Sequence, residues 1–323
     1  MSLPTHLAPV PHSDGLHVWN PKDSGPWGYA NCLWIVSKDT AAIIDTPYDG
    51  PTTKAMMAAA RSTLGAPQVT TVVTTHANGD HSWGNHYFPK ADIISTQAGC
   101  HDSSLEPGPE EMKALLHASP PDQALGWYAR RHFSNFDFAS ARVTEPTIKF
   151  IDRYDFHVGD IEVELYEVGP AHHPGDLIAR IGDTVCAGDI YFPDDHPCHW
   201  TGPLQNVIKA GEFVLSLNPK VIIPGHGRYT GPEELRQHLE YLGTAQREIA
   251  SRYEAGLSME EAMADIVERD FYPHMGSRER FMVLIAVEYS HLRGDSSVPG
   301  VVELATHAAQ WAFDRRTRTL PAM

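Results

Sequence analysis

No run of apolar residues in this chain approaches the roughly 20 that a membrane-spanning helix needs; the longest are strand-sized. Residues 1–12 have neither the basic start nor the apolar stretch of a secretory signal. The cytoplasm is therefore the expected compartment, and a membrane is not an expected partner. Cysteine is scarce: Cys32, Cys100, Cys186 and Cys198 stand far apart and never in C-x-x-C spacing, which argues against a disulfide framework and for buried thiols. Positive charge is short as well, with 25 Lys and Arg against 41 Asp and Glu. The formal charge of −16 leaves little basic surface for a phosphate backbone, so nucleic acid is not an expected partner either.

What is present reads in bulk as an ordinary globular chain, 42% hydrophobic and 20% charged over 323 residues, enough for one large domain or a domain with an appendage. Histidine is the exception at 19 residues, more than surface and core positions alone suggest. The chain is organised around residues 69–85, V-T-T-V-V-T-T-H-A-N-G-D-H-S-W-G-N. The unbroken run of Val and Thr predicts a buried strand, and the break at Ala77-Asn78-Gly79 predicts a loop presenting His76, Asn78, Asp80 and His81 together. Imidazole nitrogens and a carboxylate are the donors a zinc-like ion takes in a hydrolytic site. The same residues also fit a histidine-containing turn that binds no metal.

Upstream, three strands are expected between residues 15 and 45, followed by a helix over 51–64. Downstream, a second helix is expected over 81–88, a strand over 91–95, and a polar helical lid inserted at about 100–145. Strands return at 148–150, 154–157 and 161–168, the last alternating cleanly as I-E-V-E-L-Y-E-V, and again at 177–181 and 184–187. A helix over 203–217, a short strand over 220–223, a long helix over 232–255 and an all-helical remainder to 318 complete the pattern. Residues 1–250 thus form an expected main domain with its lid, and 251–323 a helical extension packed on the core or against a second copy of the chain.

Five loops at strand ends carry the chemistry-bearing side chains: those at Asp45, at His76 to His81, at His172, at Asp189 and at His226. In chain order the segments I-I-D-T, T-H-A-N-G-D-H, G-P-A-H-H-P-G-D, A-G-D-I-Y-F and I-P-G-H-G resemble the five signatures of the metallo-β-lactamase superfamily, over about residues 15–227. The resemblance implies an αβ/βα sandwich, two mixed sheets face to face with helices outside, a metal site at one edge, and hydrolysis as the usual activity. Matched by position, it implies His76, His172 and a bridging Asp189 around a first ion, and Asp80, His81, Asp189 and His226 around a second. Asp45 matches the aspartate that steadies the metal loop.

Asn78 departs from the family pattern, standing where the H-x-H-x-D-H loop has its second histidine. An amide oxygen is a weaker zinc ligand than imidazole. Three outcomes follow: one ion held by Asp80, His81, Asp189 and His226; a dinuclear site with a weak first ion; or manganese or iron instead of zinc. Zinc, one ion or two, is the expected cofactor, with Asn78 as a weak ligand or a substrate contact. Asp80 and Asp189 are the expected catalytic carboxylates, Asp80 holding or deprotonating the attacking water.

His173, His196, His199 and Trp200 around the last loops, and Trp127 and Tyr128 in the lid, are candidate pocket residues, although each also fits plain packing. The lid's Arg130 and Arg131 suit a carboxylate or a carrier phosphate. The expected function is a metal-dependent hydrolase of an ester, thioester or lactone bond in a small, aromatic or polyketide-like acyl substrate. The N-x-D-H loop and the helical tail also resemble a branch of cyclases and thioesterases of aromatic polyketide assembly, so metal-assisted ring closure is one alternative. A metal-free binding protein on the same fold is the other. The expected partner is a small molecule, with a homodimer through the apolar faces of the tail as a further expectation.

Overall fold

The computed structural model describes residues 3–20, 27–102, 106–269 and 271–316. Strands β1 (Ala8–Pro9), β2 (Leu16–Trp19), β3 (Cys32–Ser37) and β4 (Thr40–Ile44) pair antiparallel in succession. Helix α1 (Gly50–Leu64) then carries the chain back across the sheet, as a parallel pairing requires, to β5 (Gln68–Val73). Short α2 (Gly79–Ser82) precedes β6 (Asp92–Thr96), and the lid helices α3 (Gln97–Asp102), α4 (Pro109–Ala118) and α5 (Ala124–Phe133) precede β7 (Ile148–Phe150). Among the described residues these seven strands make one mixed sheet in sequence order.

The second sheet holds β8 (Arg153–Val158), β9 (Ile161–Glu167), β10 (Leu177–Ile181) and β11 (Thr184–Gly188). Helix α6 (Leu204–Ser216) crosses over to its parallel edge strand β12 (Val221–Pro224). Helices α7 (Pro232–Glu254), α8 (Met259–Ile266), α9 (Phe281–Arg293) and α10 (Val301–Arg315) form the tail. Among the described residues no helix is long and apolar enough to cross a membrane.

The period of two explains the layering. Leu33 and Ile35 of β3 enter the core between the sheets, where Val163 and Leu165 of β9 meet them, while Trp34 points the other way onto α1 with Ile43 and Met56. The far face of the second sheet is covered by the tail: Val185 and Ile222 pack with Leu242 and Ile249 of α7 and with Phe281 and Ile285 of α9. The first ten residues of α9 are all buried, which accounts for its apolar character all round. Beyond it, α10 packs on α9 and on lid helix α5. The tail thus packs on its own chain and reaches the lid, and loops separate its helices within the remainder expected to be all helical.

The helix expected over 81–88 is confined to α2 and a single turn of 3₁₀ helix, Asn85–Tyr87. The Asn85 side chain is drawn inward instead, accepting from Thr46 Oγ1 at 2.7 Å and donating to Thr74 Oγ1 at 3.0 Å. The lid is anchored through Asp49, whose carboxylate caps α1 by accepting from Thr52 N and also accepts from Asp137 N at 2.7 Å.

Candidate metal centre

Every loop that carries a candidate ligand leaves the sandwich at one edge, and the side chains converge there. His76, His81, His172, Asp189 and His226 are all buried. They form two groups of donors, His76 with His172 and Asp189, and Asp80 with His81 and His226. Asp189 lies between them: its Oδ2 is 3.6 Å from His172 Nε2, 4.0 Å from His76 Nε2 and 3.6 Å from His226 Nε2, and its Oδ1 is 3.5 Å from His81 Nε2. Asp80 Oδ2 is 3.4 Å from His226 Nε2. Asn78 joins the first group, its Oδ1 lying 2.7 Å from His76 Nε2 and 2.8 Å from His172 Nε2.

The outer hydrogen bonds fix what these rings present. His172 Nδ1 lies 2.6 Å from the Cys198 carbonyl, so that nitrogen donates and Nε2 turns a lone pair inward. Thr75 gives its hydroxyl proton to Asp45 Oδ2 at 2.8 Å and so accepts from His76 Nδ1 at 3.0 Å, which leaves the His76 Nε2 lone pair inward too. Asp45 also accepts from His81 Nδ1 at 2.7 Å. His76 Nε2, His172 Nε2 and Asn78 Oδ1 therefore face one another as acceptors, and Asp189 Oδ1 is buried beside them with no hydrogen-bond partner. Such an array is costly unless a cation stands among the lone pairs. Two imidazoles with an amide and a carboxylate oxygen, and two imidazoles with carboxylates, both suit a divalent ion of the zinc type.

The electrostatics agree. Burial and the neighbouring imidazoles hold His76, His172 and His226 well below the usual histidine range, in the neutral form a ligand needs. Burial would lower His81 as well, but Asp189, Asp45 and Asp80 raise it to about 10; burial pushes Asp189 up to about 7 against the pull of His81. A pocket that raises an enclosed imidazole so far favours positive charge at its centre.

Local backbone geometry supports this packing. Asp45 sits in the left-handed region at φ 63°, which Asp tolerates better than most residues, and there it accepts from both Thr75 N and Thr75 Oγ1. Gly225 leaves room for the Asp189 carboxylate: a Cβ at that position would lie 1.8 Å from Asp189 Oδ1. Asn31 pins the same loop, donating to the carbonyls of Pro224 and Gly227.

A cavity of about 930 Å³, counting its open mouth, has Asn78, Asp80, His172, Asp189 and His226 in its lining. Lid residues Met112, Leu115, Tyr128 and Phe133 form one wall, and Trp27, Phe192, Trp200, Val301 and Ala305 form others. Tyr128 and Trp200 thus line the cavity. Trp127 does not; it packs on Phe313 under Arg131. His196 lies in the core behind, its Nδ1 on Tyr241 Oη at 2.8 Å, and His199 is buried against the rings of His172 and Phe192. His173 stands beside the first group, with Nε2 2.7 Å from Glu106 Oε1. Arg130 bonds to backbone carbonyls of the lid and Arg131 is exposed, so neither reaches the cavity.

Among the described residues the cation in the cavity wall is instead Arg280, buried at the head of α9 with its guanidinium 4.3 Å from the Trp27 ring. Sequence reasoning missed Arg280, Glu106 and Thr75. The first lies in S-R-E-R-F, where its burial against an apolar helix leaves no spacing signal, and Glu106 is one of several acidic residues in the polar lid. Thr75 was readable as the strand residue flanking His76.

The chain belongs to the metallo-beta-lactamase superfamily, whose family model matches residues 25–226. It is similar in structure to the stereoselective inverting sec-alkylsulfatase Pisa1 from Pseudomonas sp., with a TM-score of 0.66 and 13% identity over 90% of this chain and 50% of that one. The chain therefore spans about half the length of that enzyme. It is also similar to a metallo-beta-lactamase from Pontibacter korlensis, with a TM-score of 0.53 and 15% identity over 74% of this chain and 99% of that one. At these identities the likeness is one of fold. No curated protein matches the chain.

Proposed function

We propose that the protein is a zinc-dependent hydrolase that cleaves an ester, thioester or lactone bond in a small acyl substrate with an apolar body. The observation that carries this reading is the convergence of two donor groups beside a largely apolar cavity, with His172 and Asp189 of the first and Asp80 and His226 of the second in its lining. The first ion would be held by His76, Asn78, His172 and Asp189, and the second by Asp80, His81, Asp189 and His226. Zinc bound there would polarise the acyl oxygen and acidify a water at neutral pH.

The protein's own groups supply the rest. Asp80 is the more open of the two carboxylates, its side chain 14% exposed against 5% for Asp189, so Asp80 takes the proton of the attacking water. The enclosed Asp189 holds the two donor groups together. Met112, Leu115, Tyr128 and Phe133 exclude water from the substrate body, and Arg280 faces the polar end with a fixed positive charge.

A second reading, hydrolysis of a sulfate ester, is favoured by one specific observation. The sec-alkylsulfatase match covers a share of this chain that has to include the helical tail, and the tail is what brings Arg280 to the cavity. A substrate panel tests both readings: aryl esters, acyl thioesters, lactones, a β-lactam, a secondary alkyl sulfate, a phosphodiester and a poly-β-keto thioester mimic, with products identified by mass. Acyl cleavage is expected to dominate. Sulfate release would favour the second reading, loss of water with ring formation would make the protein a cyclase, and preferred phosphodiester cleavage would overturn all of these.

A further inference from the structure

Asn78 is the ligand position at which this chain departs from its family, and an amide has two nearly isosteric ends of which only the oxygen binds a cation. Left to itself, the side chain would turn its NH2 inward, because the lone pairs of His76 and His172 Nε2 both accept protons. In the structure the amide is turned the other way: Oδ1 faces the two imidazoles, and Nδ2 donates to Glu106 Oε1. His173 Nε2 lies 2.7 Å from the same carboxylate oxygen and 3.1 Å from Asn78 Nδ2, and the His173 backbone N–H is held by Asp176 Oδ2 at 2.7 Å. Flipping the amide would put its oxygen against the Glu106 carboxylate.

We infer that Glu106 and His173 are positioning residues that hold Asn78 with its amide oxygen toward the first ion, making a metal ligand of a residue that would otherwise turn a donor to the site. The inference rests on the reading that the cluster holds metal. Because Glu106 lies between α3 and α4, the lid takes part in building the first metal site as well as covering it. The resulting donor set, two imidazoles and two oxygens, is harder than three imidazoles and a carboxylate, so the first site tolerates manganese better than it would with histidine at position 78.

Chelator competition on the metal-loaded full chain tests this, with zinc remaining bound read directly and the visible spectrum of the cobalt-substituted protein as a second signal. Glu106→Ala is expected to weaken the first, more weakly held ion about 10- to 100-fold, as loss of an outer partner does, and to leave the second unchanged. Glu106→Gln keeps an oxygen that accepts from Asn78 Nδ2 and should recover most of that loss. In an Asn78→Ala background, which has no amide to orient, Glu106→Ala should have no further effect on the first ion. Equal weakening of both ions, or an undiminished effect in the Asn78→Ala background, would mean that Glu106 is merely structural and would overturn the inference. No change in any Glu106 variant would overturn it alone, whereas an unmodified chain that binds no metal would overturn the proposed function with it.

Discussion

Asp189 is the residue on which both donor groups depend, since its two oxygens lie within 4.0 Å of four imidazole nitrogens. Asp189→Ala is therefore expected to release both ions and abolish activity. Asn78→Ala should weaken only the first ion, and Asp45→Ala, which loses the bonds to Thr75 and His81, should cost about 10- to 100-fold in metal affinity. Elemental analysis and chelator competition on the three variants check this ranking, and small, equal losses would remove the site assignment. The buried thiols have no comparable role: burial pushes Cys32 and Cys198 well above the usual range and Cys186 upward, leaving them protonated and unreactive.

At the scale of elements, the site depends on how closely neighbouring loops approach. The β12 loop comes so near the end of β11 that a methyl group at Gly225 would collide with the Asp189 carboxylate. Gly225→Ala should thus lower metal content while circular dichroism stays native, and full metal retention would show that the loop yields. Much of this was legible in the chain. Strands β4, β5, β9, β11 and β12 each run into one of the five loops that carry the candidate residues, and those endings give the grouping of His76, His81, His172, Asp189 and His226. The short α2 was not legible, because helix propensity over 81–88 loses to the Asn85 hydrogen bonds with Thr46 and Thr74, which are distant in sequence. Nor were Glu106, Arg280 and the burial of His196, since each depends on how lid, tail and sandwich are brought together rather than on local pattern.

Over the whole molecule, helices outside the metal edge also bury histidines in neutral form. Burial, with His196 adding to it, lowers His238 to about 3, and burial with Arg278, His274 and Arg280 lowers His196 to about 3. These groups bind protons only when unfolded between about pH 6.5 and 3, so their contribution is complete above about 6.5 and is lost as pH falls, at about 1.4 kcal/mol per pH unit for each. Thermal midpoints measured from pH 7 to 4.5 should fall less steeply for His238→Phe than for the unmodified chain under the same metal conditions; parallel slopes would contradict this. The net charge of −16 and the apolar cavity also lead us to expect that polyanions are poor substrates. The most direct measurement is the metal content of the full chain purified without chelator. One to two equivalents of zinc per chain are expected, rising toward two in Asn78→His, and protein that stays metal-free even after zinc is added would contradict the assignment of this site as a metal centre.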